Sequence, residues 1–167
     1  MLNLMTLLLR VVTADALQRF SALLRASAEA LERRGTPLWT AASLTEERLL
    51  ASYPLSALRF AVLPEGEEVA TLVLLDHDEE FWPDARPHEA LYLHKLAVRP
   101  ERQGRGYGEA ALDAASREAR ARGRALLRLD TAADRANLRA FYERLGFEPR
   151  GERDVQGLRV VLYERRV

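Results

Sequence analysis

The chain has 167 residues, of which 48% are hydrophobic, and its 25 basic residues balance 25 acidic ones to a formal net charge of zero at pH 7. That length and apolar content fit one core of ordinary size, so a single domain over 1–167 is expected. Zero net charge removes any global pull toward nucleic acid or an anionic membrane, and the absence of cysteine excludes disulfides, thiolate metal sites and a cysteine nucleophile. Three scattered histidines argue against a metal centre, no apolar run approaches the ~20 residues of a membrane span, and the cytosol is the expected compartment.

The opening MLNLMTLLLR is apolar, but it lacks an N-terminal positive charge and Arg10 follows the apolar run instead of preceding it. It therefore reads as a strand, expected over residues 5–12, and not as a leader. Thr13 offers a hydroxyl cap to a helix with Leu17, Phe20, Leu24 and Leu31 at helical spacing, which Gly35 and Pro37 end. Ser43-Leu44-Thr45-Glu46 has the form of a capping box and predicts a short helix carrying Leu49, Leu50 and Tyr53 before Pro54 stops it.

Residues 58–63 and 69–75, joined by the turn Pro64-Glu65-Gly66-Glu67, predict an antiparallel hairpin. The loop over residues 76–90 then carries six carboxylates, Asp76, Asp78, Glu79, Glu80, Asp84 and Glu89, against Arg86 alone, with Phe81 and Trp82 in its middle. It reads either as a solvated acidic loop or as an attractor for a cationic substrate whose apolar part the aromatic pair would cover.

Residues 91–98 are an apolar run with branched and aromatic members, a strand that Arg99-Pro100 ends. Gln103-Gly104-Arg105-Gly106-Tyr107-Gly108 follows, three glycines at alternate positions ahead of a helical pattern. Such a loop turns backbone N–H groups toward one point, and the helix start aims its own donors there, which is the outline of a phosphate cradle. A dinucleotide fingerprint fails because Glu109 stands where its third glycine belongs, and the Lys-Ser or Lys-Thr of a nucleoside-triphosphate loop is missing.

Beyond the loop, Ala111, Leu112, Ala115 and Ala119 give a helix with a small-residue face, ended by Gly123. Residues 125–129 form the next strand, parallel to 91–98 because a helix crosses between them. Asp134 offers a cap to a helix with Leu138, Phe141 and Leu145 inward, and residues 147–154 and 158–164 close the chain as a hairpin turning at Gln156-Gly157. Arg117, Arg120, Arg122 and Arg124 read as a solvated helix face in preference to a nucleic-acid patch.

Leu96-Ala97-Val98-Arg99-Pro100, the Gln103-x-x-Gly106-x-Gly108 loop, Leu129-Asp130, and Asn137 followed by Phe141-Tyr142-Glu143-Arg144-Leu145-Gly146-Phe147 together resemble the GCN5-related N-acetyltransferases. The resemblance implies an α/β fold with a mixed, mostly antiparallel sheet of six to seven strands flanked by helices, its central parallel pair splayed around the cofactor. It implies acetyl-coenzyme A as co-substrate, no metal, and direct attack of a primary amine on the thioester. Gln103, Gly104, Arg105, Gly106, Tyr107 and Gly108 would hold the pyrophosphate. A bulge would fall near Lys95, Leu96 and Ala97, leaving amides of Leu96 and Val98 for the cofactor and one near Leu96 for the oxyanion.

In the resemblance Tyr142 matches the tyrosine that meets the coenzyme sulfur and protonates the leaving thiolate, and Asn137 matches a cofactor contact, although capping of its helix is a competing role. His94 is the candidate base or water-relay residue, with Glu89 and the acidic loop as alternatives. Lys95 is not proposed as a catalyst, and no Ser-His-Asp set is supported, because Ser116 lies inside a helical pattern. A small-molecule amine is the expected acceptor and a protein amine the alternative, with no nucleic-acid or membrane partner expected. The acceptor's identity and the oligomeric state, a homodimer included, are not written in the sequence. A second function class stays open, a regulatory module that binds coenzyme A without transferring an acyl group.

Overall fold

Alternating and continuous apolar runs over the first half of the chain become strands, of which the second and third bury both faces while the first is largely exposed. In the computed structural model, which describes residues 5–167, these are β1 (Leu8–Val11), β2 (Leu58–Val62) and β3 (Glu68–Leu75). Between β1 and β2 lie α1 (Leu17–Arg33) and α2 (Glu46–Ser52). The second half holds β4 (Ala90–Val98), α3 (Tyr107–Ala121), β5 (Leu126–Ala132), α4 (Ala136–Arg144), β6 (Glu148–Val155) and β7 (Leu158–Arg166). The first four residues of the opening run lie outside the described residues.

The seven strands form a mixed sheet in the order β1-β2-β3-β4-β5-β7-β6, with β4 and β5 its parallel pair and helices flanking it, as the resemblance implied. The chain divides into two compact units, the first running to Val73 and resuming over Lys95–Ala114, the second comprising Leu74–His94 and Ala115–Val167.

In the first unit β1, β2 and β3 pair antiparallel, with a register shift at Ala61/Val62, and Leu63 N–H donates to the carbonyl of Glu67 to close the hairpin turn. Phe20 of α1 meets Phe60 of β2 edge to face at 5.6 Å, both fully buried, as are Leu24, Leu44, Leu49 and Leu58. Two caps differ from expectation. The Thr13 hydroxyl donates to Asp15 Oδ1 at 2.6 Å instead of accepting from the helix, because a 3-10 turn, Ala14–Ala16, intervenes before α1. Thr45, not Ser43, caps α2, accepting from Arg48 N–H at 3.4 Å, while the Ser43 hydroxyl donates to the carbonyl of Thr40. Of the apolar residues that α2 carries, Leu49 is buried and Leu50 is exposed.

In the second unit β5 pairs with β7 and β7 with β6, both antiparallel, and Phe147, Tyr163, Leu127 and Leu91 fill the core. The acidic loop is not simply solvated. Asp76 accepts from Arg124 and lies 3.7 Å from Arg122, which also pairs with Glu118 one helical turn back. Glu89 accepts from Arg128 at 2.7 Å, and Gln156 donates to Glu80 at 2.6 Å. Phe81 and Trp82 pack on Val155, Val160 and Leu162, so the aromatic pair covers the protein's own hairpin.

The expected cap of α4 also fails. Asp134 is exposed, and Arg135 occupies the N-cap position with no side-chain bond to the helix.

Candidate active site

β4 begins as a regular strand and pairs in parallel with β5 over Ala90, Leu91 and Tyr92, opposite Leu126, Leu127 and Arg128, where the recorded register stops. Regularity is lost three residues later. Lys95 takes φ 53°, a left-handed conformation that costs a side-chain-bearing residue roughly 1–2 kcal/mol. Its carbonyl accepts from the Thr71 hydroxyl at 3.1 Å, and its ammonium lies 4.9 Å from the centre of the Trp39 ring, contacts that hold it there. The irregularity falls where a bulge was expected. Past it, Ala97 is buried and Leu96 and Val98 are half-buried.

The glycine loop follows a 3-10 turn, Pro100–Arg102. Gly104 and Gly106 sit at φ 74° and 86°, and a Cβ built on either meets no atom within 4 Å. Open space over a loop that only glycine adopts readily is what a cradle for a phosphate-bearing ligand requires. The amides that open α3, those of Tyr107, Gly108 and Glu109, have no intrahelical acceptor and add donors at the same point. Gly108 lies inside the helix and not in the turn, and Arg105 is exposed. The Gln103 side chain is otherwise engaged, donating to the Val98 carbonyl at 3.0 Å and accepting from Arg34 at 2.7 Å, so it braces the loop against the strand before it. Gly106→Ala is expected to lower stability by about 1 kcal/mol through the left-handed backbone alone, read by urea denaturation. An unchanged midpoint would show that the loop relaxes to another conformation.

The remaining candidates lie in the second unit. His94 is flanked by two carboxylates, with Nε2 2.7 Å from Asp78 Oδ2 and Nδ1 3.5 Å from Asp130 Oδ1. The ring packs on Phe81 at 5.3 Å between centroids, and the His94, Asp78 and Asp130 side chains are 11%, 7% and 16% exposed. Tyr142 is the one buried residue recorded in α4, surrounded by the rings of Phe141, Phe147 and Tyr163 at 5.2, 5.8 and 6.1 Å. Burial pushes its phenol well above the ordinary range, and the charge on Asp130 pushes the same way. Asp130 thus lies beside His94, and its charge also reaches the Tyr142 phenol. Asn137 is exposed in the first turn of α4.

Glu89, the alternative base, is committed elsewhere. Its hydrogen bond from Arg128 holds its carboxyl below the usual range, and its Oε1 also accepts from the Arg86 N–H. Asp78 was one of six loop carboxylates with nothing in the sequence to separate it from the rest, and Asp130 was visible only as part of a motif. Among the described residues no His/Cys/Asp/Glu group suited to a metal ion occurs, and no helix is long and apolar enough to cross a membrane.

A family model described as the acetyltransferase (GNAT) family matches residues 20–147. An uncharacterised N-acetyltransferase of Bacillus subtilis (strain 168), YesJ, is 29% identical over 136 residues, covering 78% of this chain and 76% of that protein. A GNAT-family acetyltransferase from Listeria monocytogenes shares the fold with a TM-score of 0.77 at 16% identity, over 96% of this chain and 95% of that one. AAC(6')-Ib in complex with ribostamycin and coenzyme A shares it with a TM-score of 0.73 at 16% identity, over 96% and 93% of the two chains.

Proposed function

We propose, since this chain belongs to the acetyltransferase (GNAT) family and is an N-acetyltransferase of that family, that residues 1–167 act as one domain moving an acetyl group from acetyl-coenzyme A to a small cationic amine. The observation that carries this is the pairing of His94 with Asp130, 3.5 Å apart, in the same unit that buries the Tyr142 phenol, which gives that unit a candidate proton acceptor and a candidate proton donor.

An alkylammonium has a pKa of about 10.4 and must lose a proton before its nitrogen can attack, which is the task assigned to His94. The amide of Leu96 is assigned to the thioester oxygen, with that of Val98 and the backbone of Ala97 along the coenzyme arm. Gln103, Gly104, Arg105, Gly106, Tyr107 and Gly108 are assigned to the pyrophosphate, and Asn137 to a polar contact with the coenzyme. As the C–S bond breaks, negative charge grows on sulfur, and Tyr142 offers its O–H. Burial keeps that O–H intact, so its first contribution is a hydrogen bond to the growing charge on sulfur.

Support for a small cationic acceptor comes from the half-buried Asp130 carboxylate and from the ribostamycin complex of the AAC(6')-Ib fold relative. The test is an acceptor screen with acetyl-coenzyme A, in which free thiol and acetylated product are followed by absorbance and mass spectrometry. The panel spans diamines, polyamines, aminoglycosides, amino-acid esters and peptide amines. Transfer to a small amine is the expected result. Binding of acetyl-coenzyme A with no transfer across the panel would favour a regulatory module instead, and peptide amines alone would reject the small acceptor. Gly106→Val is expected to weaken acetyl-coenzyme A binding at least about tenfold by calorimetry, because its side chain would enter the space over the loop.

A further inference from the structure

Asp78 is held more firmly than a loop carboxylate has reason to be. Its Oδ1 accepts from the Phe81 N–H at 3.3 Å, its Oδ2 faces His94 Nε2 at 2.7 Å, and its carbonyl accepts from the Trp82 N–H at 2.8 Å. The two carboxylate oxygens therefore have different partners, and the side chain is 7% exposed. Phe81, whose amide fixes one oxygen, lays its ring on the imidazole that the other oxygen meets. An ionised carboxylate only accepts, so Nε2 must be the nitrogen that carries hydrogen. In the neutral ring the lone pair then belongs to Nδ1, the nitrogen that lies 3.5 Å from Asp130 Oδ1, beyond ordinary N–H···O length.

From this geometry we infer that Asp78 is a positioning residue for acetyl transfer, holding His94 as the Nε2–H tautomer so that Nδ1, beside Asp130, takes the proton of the acceptor's ammonium. The inference rests on the acetyl-transfer reading above. A substrate nitrogen near Nδ1 and Asp130 Oδ1 meets one atom that accepts its proton and one carboxylate that balances its charge. The N–H bond to that proton breaks, the proton settles on Nδ1, and the ring becomes an imidazolium with Asp78 at one nitrogen and Asp130 near the other. The freed lone pair forms the C–N bond to the acetyl carbon. The nitrogen loses its second proton to solvent as the amide forms. The sulfur leaves with the C–S electron pair and gains the proton offered by Tyr142, which is restored from water, and His94 returns its own proton to solvent.

Among the described residues, the charged groups facing this ring include Asp78 from the loop after β3 and Asp130 from β5. Around them stand Tyr142 of α4, which feels Asp130, and Tyr92 of β4, which feels Asp78. The loop over residues 76–90 thus gains a function apart from its charge: one of its six carboxylates orients the base.

The tautomer is read by long-range proton–nitrogen NMR correlations of the 15N-labelled chain at alkaline pH. There are three histidines, so His94 is assigned by its loss in His94→Gln. The expected result is a protonated Nε2 and a bare Nδ1 in the wild type, with the tautomer shifted toward Nδ1–H in Asp78→Asn, whose amide can donate to Nε2. Transfer to the best amine of the acceptor panel should fall at least roughly 10²-fold in kcat for Asp78→Asn, and the acidic limb of its pH profile should move. Asp84→Asn, which removes an exposed carboxylate of the same loop, should change neither tautomer nor rate.

A wild-type ring protonated at Nδ1 overturns the inference, as does an Asp78→Asn enzyme with unaltered pH profile and kcat. If Asp78→Asn fails to fold, as judged by loss of acetyl-coenzyme A binding, the wild-type tautomer and Asp78→Glu, which keeps the acceptor, decide between the outcomes. Failure of every amine to accept an acetyl group would sink the acetyl-transfer reading, and with it the catalytic part of the inference, while the tautomer result would still accept or reject the positioning of His94.

Discussion

Replacing Tyr142 by phenylalanine is expected to lower turnover of acetyl transfer by about 10²-fold while acetyl-coenzyme A affinity changes by no more than about threefold. The substitution removes one oxygen and leaves the ring, so the packing with Phe141, Phe147 and Tyr163 persists and no cavity opens. A purely structural tyrosine at this position would give a different pattern. Its loss of hydroxyl would move stability by about 1 kcal/mol and leave turnover alone. Single-turnover thiol release, with calorimetry for the coenzyme, separates the two. Unchanged turnover would remove Tyr142 from the mechanism. The expectation follows from environment, since burial and the charge of Asp130 both keep the phenol protonated across the working pH range.

The largest stability effect is expected at Arg128. Its guanidinium is nearly buried, donates to Glu89, Glu164 and the Tyr92 hydroxyl at 2.7, 3.0 and 3.2 Å, and lies 4.4 Å from the centre of the Trp82 ring. Arg128→Leu keeps bulk but strands two partly buried carboxylates, a change that costs about 3 kcal/mol, toward the lower end because Arg150 also donates to Glu164. The melting temperature should fall by roughly 5–10 °C. Arg128→Lys is not expected to restore it, because a point charge cannot reproduce a fork shared among three acceptors.

The same contact sets a pH dependence. The carboxyl of Glu89 is lowered in the fold chiefly by its hydrogen bond from Arg128. Its contribution is thus present above the ordinary glutamate value of about 4.3 and is lost as pH falls through the lower folded value. Thermal unfolding followed downward from neutral pH should show a slope in that acidic window, reduced in Arg128→Leu. An equal slope in both proteins would reject the assignment.

Much of the site was legible because backbone chemistry leaves few options. Gly104 and Gly106 were recognisable because positive φ is easy only for glycine, and the helix that follows announces itself by periodic small residues. Lys95 carried no comparable signal. A lysine in a left-handed conformation is the outcome of contacts with Thr71 and Trp39, residues distant in sequence. On α4 hydrophobicity pointed to Phe141 as the inward residue, yet the buried one is Tyr142. The capping hydroxyls of Thr13 and Ser43 illustrate a related limit. Each found a closer partner, Asp15 in one case and Thr40 in the other, because the α-helix began later than its pattern implied, with Ala16 and Thr45 at the N-cap positions.

By itself the sequence determined the family, the order of strands and helices, the absence of disulfides and the place of the glycine loop, because these rest on local patterns. Only the tertiary structure decided which carboxylates matter. Six acidic residues between 76 and 90 are equivalent as text, and the folded chain ties Asp76 and Glu89 to arginines while turning Asp78 onto His94. The physical reason is that a carboxylate as covered as that of Asp78 must find donors wherever the packing supplies them, and packing joins residues that no local pattern relates.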